Sequence, residues 1–375
     1  MPRPVTDILV KPAGPDCNLA CEYCFYSGRE RLFPGSKTRM NGEVLEIMIS
    51  QLMTQPVEQV SVGWQGGEPT LMGIPFFRKA LGLMQRYSRG KTVANGLQTN
   101  GMLIDKNWAK FFKEFHFLIG LSIDGPEHVH DHYRHARGGQ GSWRKAADAA
   151  KRLMDEGAEV NALTVVNDYS VNFPEEIYGF HKSHGLNFMQ FIPCVETDTH
   201  DPGKAAPFSV SGEMYGRFLC TLFDLWLADF SDGVPTTSIR FFESLLFKYA
   251  GFPPTECTLL DKCGTYVVVE HNGDVYACDF FVEPEYMLGN LRETPLVLLM
   301  NSERQRQFGL LKANLHEECR TCQWRELCRG GCIKDRLRDP MSANLNHFCV
   351  AFKMFFPYAD ARLRGLADNW KRKQE

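Results

Sequence analysis

From Thr6 to about Pro193, short apolar runs alternate with stretches whose apolar residues recur at helical spacing. The runs Asp7–Pro12, Gln59–Gln65, Thr92–Gln98, Phe117–Ile123, Glu159–Val166 and Phe188–Pro193 read as strands. Asn41–Thr54, Pro75–Tyr87, Lys106–Glu114, Ser142–Glu156 and Pro174–His184 read as the helices between them. Such alternation predicts an α/β fold of parallel units joined by right-handed crossovers. Six strands suggest a partial (β/α)6 barrel rather than a closed barrel of eight. Chemistry is then expected at the C-terminal ends of the strands.

Past Pro193 the pattern changes. Thr197 to Pro207 is polar and contains Pro and Gly, as a connection or a lid would. Ser211–Phe230 predicts a long helix, with Met214, Phe218, Leu222, Leu225 and Phe230 as a stripe packing on the barrel. Arg240–Tyr249 predicts another. Tyr266–Glu270 and Val275–Cys278 flank His271-Asn-Gly-Asp274, which reads as a β-hairpin with an Asn-Gly turn. The expected organisation is therefore a barrel over 1–196, a linker loop and helices over 197–250, and a cysteine-rich domain over 251–375.

Composition narrows the function. A net charge of −3 over 375 residues gives no strong field for nucleic acid or membrane. The segment Met1 to Lys11 lacks the apolar stretch of a secretory signal, and no run is long enough to span a bilayer. A cytoplasmic enzyme is expected. Thirteen cysteines in a reducing compartment point to metal binding or catalysis rather than disulfides.

Three of these thiols, Cys17, Cys21 and Cys24, lie within one short loop after the first strand. Thiolates this close can grip one iron–sulfur cluster, and three leave one iron of a four-iron cluster open to a small molecule. A zinc site would want a fourth Cys or His. No histidine lies near this loop, and no further cysteine follows before Cys194. Cys257, Cys263, Cys278, Cys319, Cys322, Cys328, Cys332 and Cys349 make two further sets of four, for which zinc-ribbon sites are the alternative. Cys194 and Cys220 read as small core residues.

After the second strand comes Gln65-Gly-Gly-Glu-Pro-Thr70, whose paired glycines allow backbone to approach a ligand. Asn100-Gly101 after the third strand reads as a turn. The run from Glu127 to His135 carries His128, His130, His132 and His135. Such runs are more often solvated than metal-binding.

Cys17-Asn-Leu-Ala-Cys-Glu-Tyr-Cys24 resembles the signature loop of radical S-adenosylmethionine (SAM) enzymes, with Tyr23 as its aromatic residue. Gly66-Gly67-Glu68-Pro69 resembles the motif that cradles the SAM amino group in that family. The tail from Cys257 to Cys349 resembles the SPASM extension of peptide-modifying members. Taken with Leu97-Gln-Thr-Asn-Gly101, Gly120-Leu-Ser-Ile-Asp-Gly-Pro126 and Tyr276-Ala-Cys-Asp-Phe280, the chain resembles the anaerobic sulfatase-maturating enzymes over nearly its whole length.

That resemblance implies three [4Fe-4S] clusters, on Cys17/Cys21/Cys24, on Cys257/Cys263/Cys278/Cys332 and on Cys319/Cys322/Cys328/Cys349. It implies SAM contacts at Tyr23, Gly67, Glu68, Ser122, Arg134 and the backbone of Val195. It implies a sulfatase polypeptide as substrate, lined by Tyr26 and Gln65, and an electron donor such as ferredoxin or flavodoxin. The reaction implied is oxidation of a cysteine or serine to Cα-formylglycine. The deoxyadenosyl radical takes hydrogen from Cβ, Asp279 is the base, and an auxiliary cluster accepts the second electron. A carboxylate beside an anionic cluster feels like-charge repulsion, which favours accepting a proton; capping the end of the hairpin is its plainer use. The rival readings are a SPASM enzyme that crosslinks a ribosomal peptide, and a zinc-binding or electron-carrying module.

Overall fold

A computed structural model describes residues 2–34 and 38–373. The chain divides into two compact units whose segments interleave. One comprises Met1–Ser122, Arg134–Val160 and Gly264–Leu310; the other comprises Ile123–Tyr133, Asn161–Cys263 and Leu311–Glu375. Compactness thus cuts the chain differently from the consecutive ranges 1–196, 197–250 and 251–375.

The six expected strands form within a residue or two of their expected bounds: β1 Asp7–Lys11, β2 Gln59–Trp64, β3 Thr92–Thr99, β4 Leu118–Ser122, β5 Glu159–Val166 and β6 Phe188–Pro193. In the first unit β1, β2, β3 and β4 are neighbours in that order, and every pairing is parallel. Helices Gly42–Met53, Gly73–Tyr87, Lys106–Glu114 and Trp143–Asp155 lie in the same unit. Side-chain caps fix two of their starts: Asn41 accepts from the Val44 amide and Asp105 from the Trp108 amide.

The expected hairpin forms from Val267–Glu270 and Asp274–Tyr276, and Gly273 takes the left-handed conformation its turn needs (φ 91°). It does more than its own pattern announced. Strand Val267–Glu270 pairs in parallel with β1, which sets Lys11 opposite Glu270. Parallel register puts the ends of β1, β2, β3, β4 and Val267–Glu270 at one edge of the sheet, so the loops that follow them gather there.

In the second unit β5 pairs with β6, and β6 with the short strand Ser238–Ile239. The long helix runs Gly212–Ala228, with Ser211 as its N-cap. Its buried face is Tyr215, Phe218, Leu219, Leu222, Phe223 and Trp226, whereas Met214 is exposed. That face packs on helix Cys349–Arg372, where Phe355 meets Phe223 and Phe242 at ring separations of 5.5 Å. The stripe was expected to begin at Met214 and to pack on the barrel; it does pack there in part, Phe218 meeting Phe191 of β6 at 5.7 Å. A terminal helix absent from the expectation covers the rest.

Candidate active site

The cysteine loop follows β1 and is pinned from the side by the 135–136 segment: Ala20 donates to the His135 carbonyl, and Leu19 bridges Ala136. Hydrogen-bond donors point at its sulfurs. The Leu19 amide lies 3.4 Å from Cys17 Sγ, Asn100 Nδ2 lies 3.6 Å from the same atom, and Arg134 Nη1 lies 4.0 Å from Cys21 Sγ. Burial pushes the Cys17 thiol up to about 12, so a bound cation must supply the charge that makes it a thiolate. Three thiols on one loop, with N–H donors turned toward sulfur, suit a thiolate-ligated cluster.

The loop after β2 is built against this one. Gly67 donates to the Gly14 carbonyl at 2.8 Å, and Glu68 to Asp16 at 2.9 Å. A Cβ on Gly67 would stand 2.1 Å from the Asp16 carbonyl oxygen. Gly67 thus makes a close approach to the chain just before Cys17. Glu68 is wholly buried, and its carboxylate accepts from the Thr70 amide (3.0 Å), Thr70 Oγ1 (2.6 Å), Thr99 Oγ1 (2.9 Å) and the Asn100 amide (2.8 Å). Burial raises its pKa and these four bonds oppose the rise. Glu68 therefore ties the β2 and β3 loops together. Asn100, expected only as a turn residue, donates to Asn18 at 2.7 Å and so joins the β3 loop to the cysteines.

Tyr23 is buried beneath the Arg134 guanidinium, 5.3 Å from its ring centre. Ser122 ends β4, half-buried. Val195 lies in the second unit, fully buried, and its carbonyl accepts from Lys334 Nζ at 3.0 Å.

Asp279 is held at both oxygens. Gln65 Nε2 donates to Oδ2 at 3.1 Å and the Tyr266 hydroxyl to Oδ1 at 3.0 Å. Tyr266 also lies 3.5 Å from Cys278 Sγ. The Tyr26 hydroxyl donates to Glu270; burial, and then the Glu270 carboxylate, lift the phenol well above its ordinary value.

Lys11, fully buried, sits 3.6 Å over the Tyr26 ring. Burial lowers its pKa; Asp279 and Glu270, which face it, oppose that fall. Sequence patterning did not single out Lys11, Tyr266 or Glu270. The parallel pairing of β1 with Val267–Glu270 is what assembles them.

In the second unit Cys319, Cys322, Cys328 and Cys349 line one pocket with Trp324, Phe352 and Lys353. Its volume is about 370 Å³ including the open mouth. Cys349 is supplied by the first residue of the terminal helix. Burial pushes the Cys328 thiol up to about 12. Four thiols around one pocket are the donor set of a fully ligated cluster. Cys194 is buried, as expected of a core residue, while Cys220 is partly buried.

The histidine run is a short helix, Glu127–Tyr133, and not an open loop. His130 is buried and accepts from the Asp124 amide; His128 contacts Glu176; His132 stacks on Tyr169 at 3.7 Å.

Residues 12–178 match the radical SAM superfamily and residues 261–323 an iron–sulfur cluster-binding domain of the SPASM type. The serine-type anaerobic sulfatase-maturating enzyme of Bacteroides thetaiotaomicron is 39% identical, over 94% of this chain and 90% of its own. The chain belongs to the anaerobic sulfatase-maturating enzymes.

A cysteine-type member of this family from Clostridium perfringens is 37% identical, over 98% of this chain and all of its own. The solved structure of native anSMEcpe with bound AdoMet and Cp18Cys peptide superposes with a TM-score of 0.90 at 37% identity, over 98% of this chain and 99% of that one. Streptococcus suis SuiB bound to its precursor peptide shares the fold, at a TM-score of 0.65 and 16% identity, over 93% of this chain and 76% of that one. The protein is thus a radical SAM oxidoreductase with a SPASM extension, a mixed α/β fold and a cysteine-rich C-terminal region. Among the described residues no helix is long and apolar enough to cross a membrane.

Proposed function

We propose that this sulfatase-maturating enzyme oxidises a cysteine or serine side chain of a sulfatase polypeptide to Cα-formylglycine, with Asp279 as the base. The observation that carries this reading is the placement of Asp279. Its carboxylate follows Cys278 directly and is oriented by Gln65 and Tyr266, two groups from separate strand ends. A carboxylate fixed at both oxygens is positioned to take the thiol or hydroxyl proton of a bound residue.

Cys17, Cys21 and Cys24 would hold a cluster whose open iron binds SAM, the source of the hydrogen-abstracting radical. Cys257/Cys263/Cys278/Cys332 and Cys319/Cys322/Cys328/Cys349 would hold two more clusters, which accept electrons. Tyr23, Ser122 and Arg134 would contact SAM, and the Val195 backbone would meet its adenine. Gly67 and Glu68 shape the cradle, Glu68 by bracing it from beneath. Tyr26 and Gln65 line the peptide. A primary carbon radical attacks almost any nearby C–H bond, so the protein's task is placement and exclusion of water.

A ferredoxin or flavodoxin supplies the reducing electron. Thirteen cysteines suit a reducing compartment, and we place the reaction in the cytoplasm.

The test is anaerobic incubation of the reconstituted enzyme with SAM, dithionite and two sulfatase peptides, one with cysteine and one with serine. Relatives of the serine and cysteine types both lie at 39% identity, so both peptides are needed. Formylglycine in either, with matching 5′-deoxyadenosine, supports the reading. A crosslinked peptide without formylglycine would instead place the enzyme with the peptide cyclases. Asp279→Asn is expected to keep its iron and its SAM cleavage and to lose formylglycine by ~100-fold or more. Full yield from that variant removes Asp279 as the base.

A further inference from the structure

Two cations are buried among the cysteines of the second unit, and the reaction as described makes no use of them. Lys312 has no exposed surface and Arg336 has 2%. Lys312 Nζ donates to the carbonyls of Cys257 (3.1 Å), Thr258 (2.6 Å) and Gly331 (2.9 Å). Three donated bonds require the ammonium form, because a neutral amine has only two N–H groups. Arg336 donates through Nε to Gly330 (2.9 Å), through Nη1 to Lys312 (3.1 Å) and Asn314 (3.3 Å), and through Nη2 to Arg329 (3.1 Å). Every acceptor is a backbone carbonyl. Among the described residues neither cation pairs with a carboxylate, an arrangement that leaves a buried charge poorly compensated.

The groups set against them are cysteine thiols, which become thiolates when a cluster binds. Cys263, Cys332 and Cys257 act on Lys312; Cys319, Cys328, Cys263 and Cys332 act on Arg336. Arg336 therefore feels members of both cysteine sets. The bonds run without a break from the Cys257 carbonyl through Lys312 and Arg336 to Gly330, which lines the pocket of the second set.

We propose that Lys312 and Arg336 form a buried cationic bridge between the two auxiliary cysteine sets, which favours the reduced state of the clusters held there. The proposal rests on the reading that these sets ligate iron–sulfur clusters. Reduction adds one electron, and hence one negative charge, to a core already surrounded by thiolates. A fixed positive charge at short range, in a water-poor interior, stabilises that product more than the oxidised form. The cations thereby help these clusters accept the electron that leaves the substrate during oxidation. Their rigid carbonyl cages keep them from turning away to solvent.

The experiment uses the full chain carrying Cys17→Ala, Cys21→Ala and Cys24→Ala, reconstituted anaerobically, so that only the auxiliary sets load. Iron is counted, and dithionite titration followed by electron paramagnetic resonance reads the midpoint potentials. Lys312→Gln and Arg336→Gln are expected to lower the reduced-to-oxidised ratio about tenfold at a fixed potential, a negative shift of about 59 mV for one electron. Lys312→Arg and Arg336→Lys are expected to stay near the parent. Loss of iron in the Gln variants but not in the charge-retaining pair also supports the bridge. Full iron with unmoved potentials overturns it, as do equal effects from charge-retaining and charge-removing variants. Absence of iron from the parent chain overturns the cluster reading itself, and the bridge with it.

Discussion

At Gly67 the absence of one Cβ decides how two loops meet. The methyl group of alanine would lie 2.1 Å from the Asp16 carbonyl oxygen and 2.6 Å from its carbon, both rigid backbone atoms. Asp16 immediately precedes Cys17, so a displaced Asp16 carries the first cysteine with it. Gly67→Ala should cost roughly 1–3 kcal/mol as overpacking. It should also lower the iron held by Cys17, Cys21 and Cys24, as read by iron analysis beside thermal melting; unchanged loading would show that the loops can separate harmlessly. The glycine pair was legible in the sequence, but what it approaches was not. Lys11 was not legible at all, since a lysine at a strand end reads as solvated. Only the register of β1 against Val267–Glu270 reveals it beside Glu270. Removing one partner from a buried charge cluster costs about 3–5 kcal/mol. Lys11→Met should lower the melting temperature by a corresponding amount, and Glu270→Gln introduced on top of it should restore part of the loss. No recovery in the double variant would mean that the two charges are independent.

Among the elements, strands and helices with a clear apolar period were readable nearly to the residue, because burial on one face forces that period. Of the helices that escaped, two did so for reasons their residues show. Glu127–Tyr133 buries Val129 and His130, so part of its inner face is polar. Cys349–Arg372 repeats apolar residues at Ala351, Phe355, Ala359 and Leu363, yet Pro357 sits inside it, a signal that ordinarily ends a helix. Helix Pro174–Ser183 carries a consequence that pH can expose. Its His181 is fully buried, with Nε2 2.8 Å from Thr164 Oγ1 on β5, and burial pushes its pKa down to about 3. In the unfolded chain that imidazole titrates near its ordinary value of 6.5. Between those values the unfolded state binds the extra proton, so stability is lost as pH falls below 6.5, by up to ~1.4 kcal/mol per pH unit. His181→Gln should flatten this acid slope in denaturant titrations from pH 7 to pH 5. An unaltered slope would assign the acid sensitivity to other groups.

For the whole molecule, the cysteine spacing carried most of what could be read, since ligand geometry constrains sequence more tightly than packing does. It could not foretell that the compact units interleave, because that depends on which distant strand joins β1. The separation nonetheless has a measurable result. Cys17, Cys21 and Cys24 lie in one unit, while Cys319, Cys322, Cys328 and Cys349 lie wholly in the other. A set whose ligands all belong to one unit can fill without the other. The three four-iron clusters proposed above would correspond to about 12 iron atoms per chain. Replacing Cys319, Cys322, Cys328 and Cys349 with alanine should leave about 8 iron atoms. SAM cleavage should persist in that variant, because the proposed cluster site on Cys17, Cys21 and Cys24 is untouched, while formylglycine should fall if the lost set is the electron acceptor proposed above. Replacing Cys17, Cys21 and Cys24 should also leave about 8 iron atoms, but with no 5′-deoxyadenosine at all. If either variant lost nearly all its iron, the sets would be filling as one cooperative unit, and the independence drawn from their placement would be wrong.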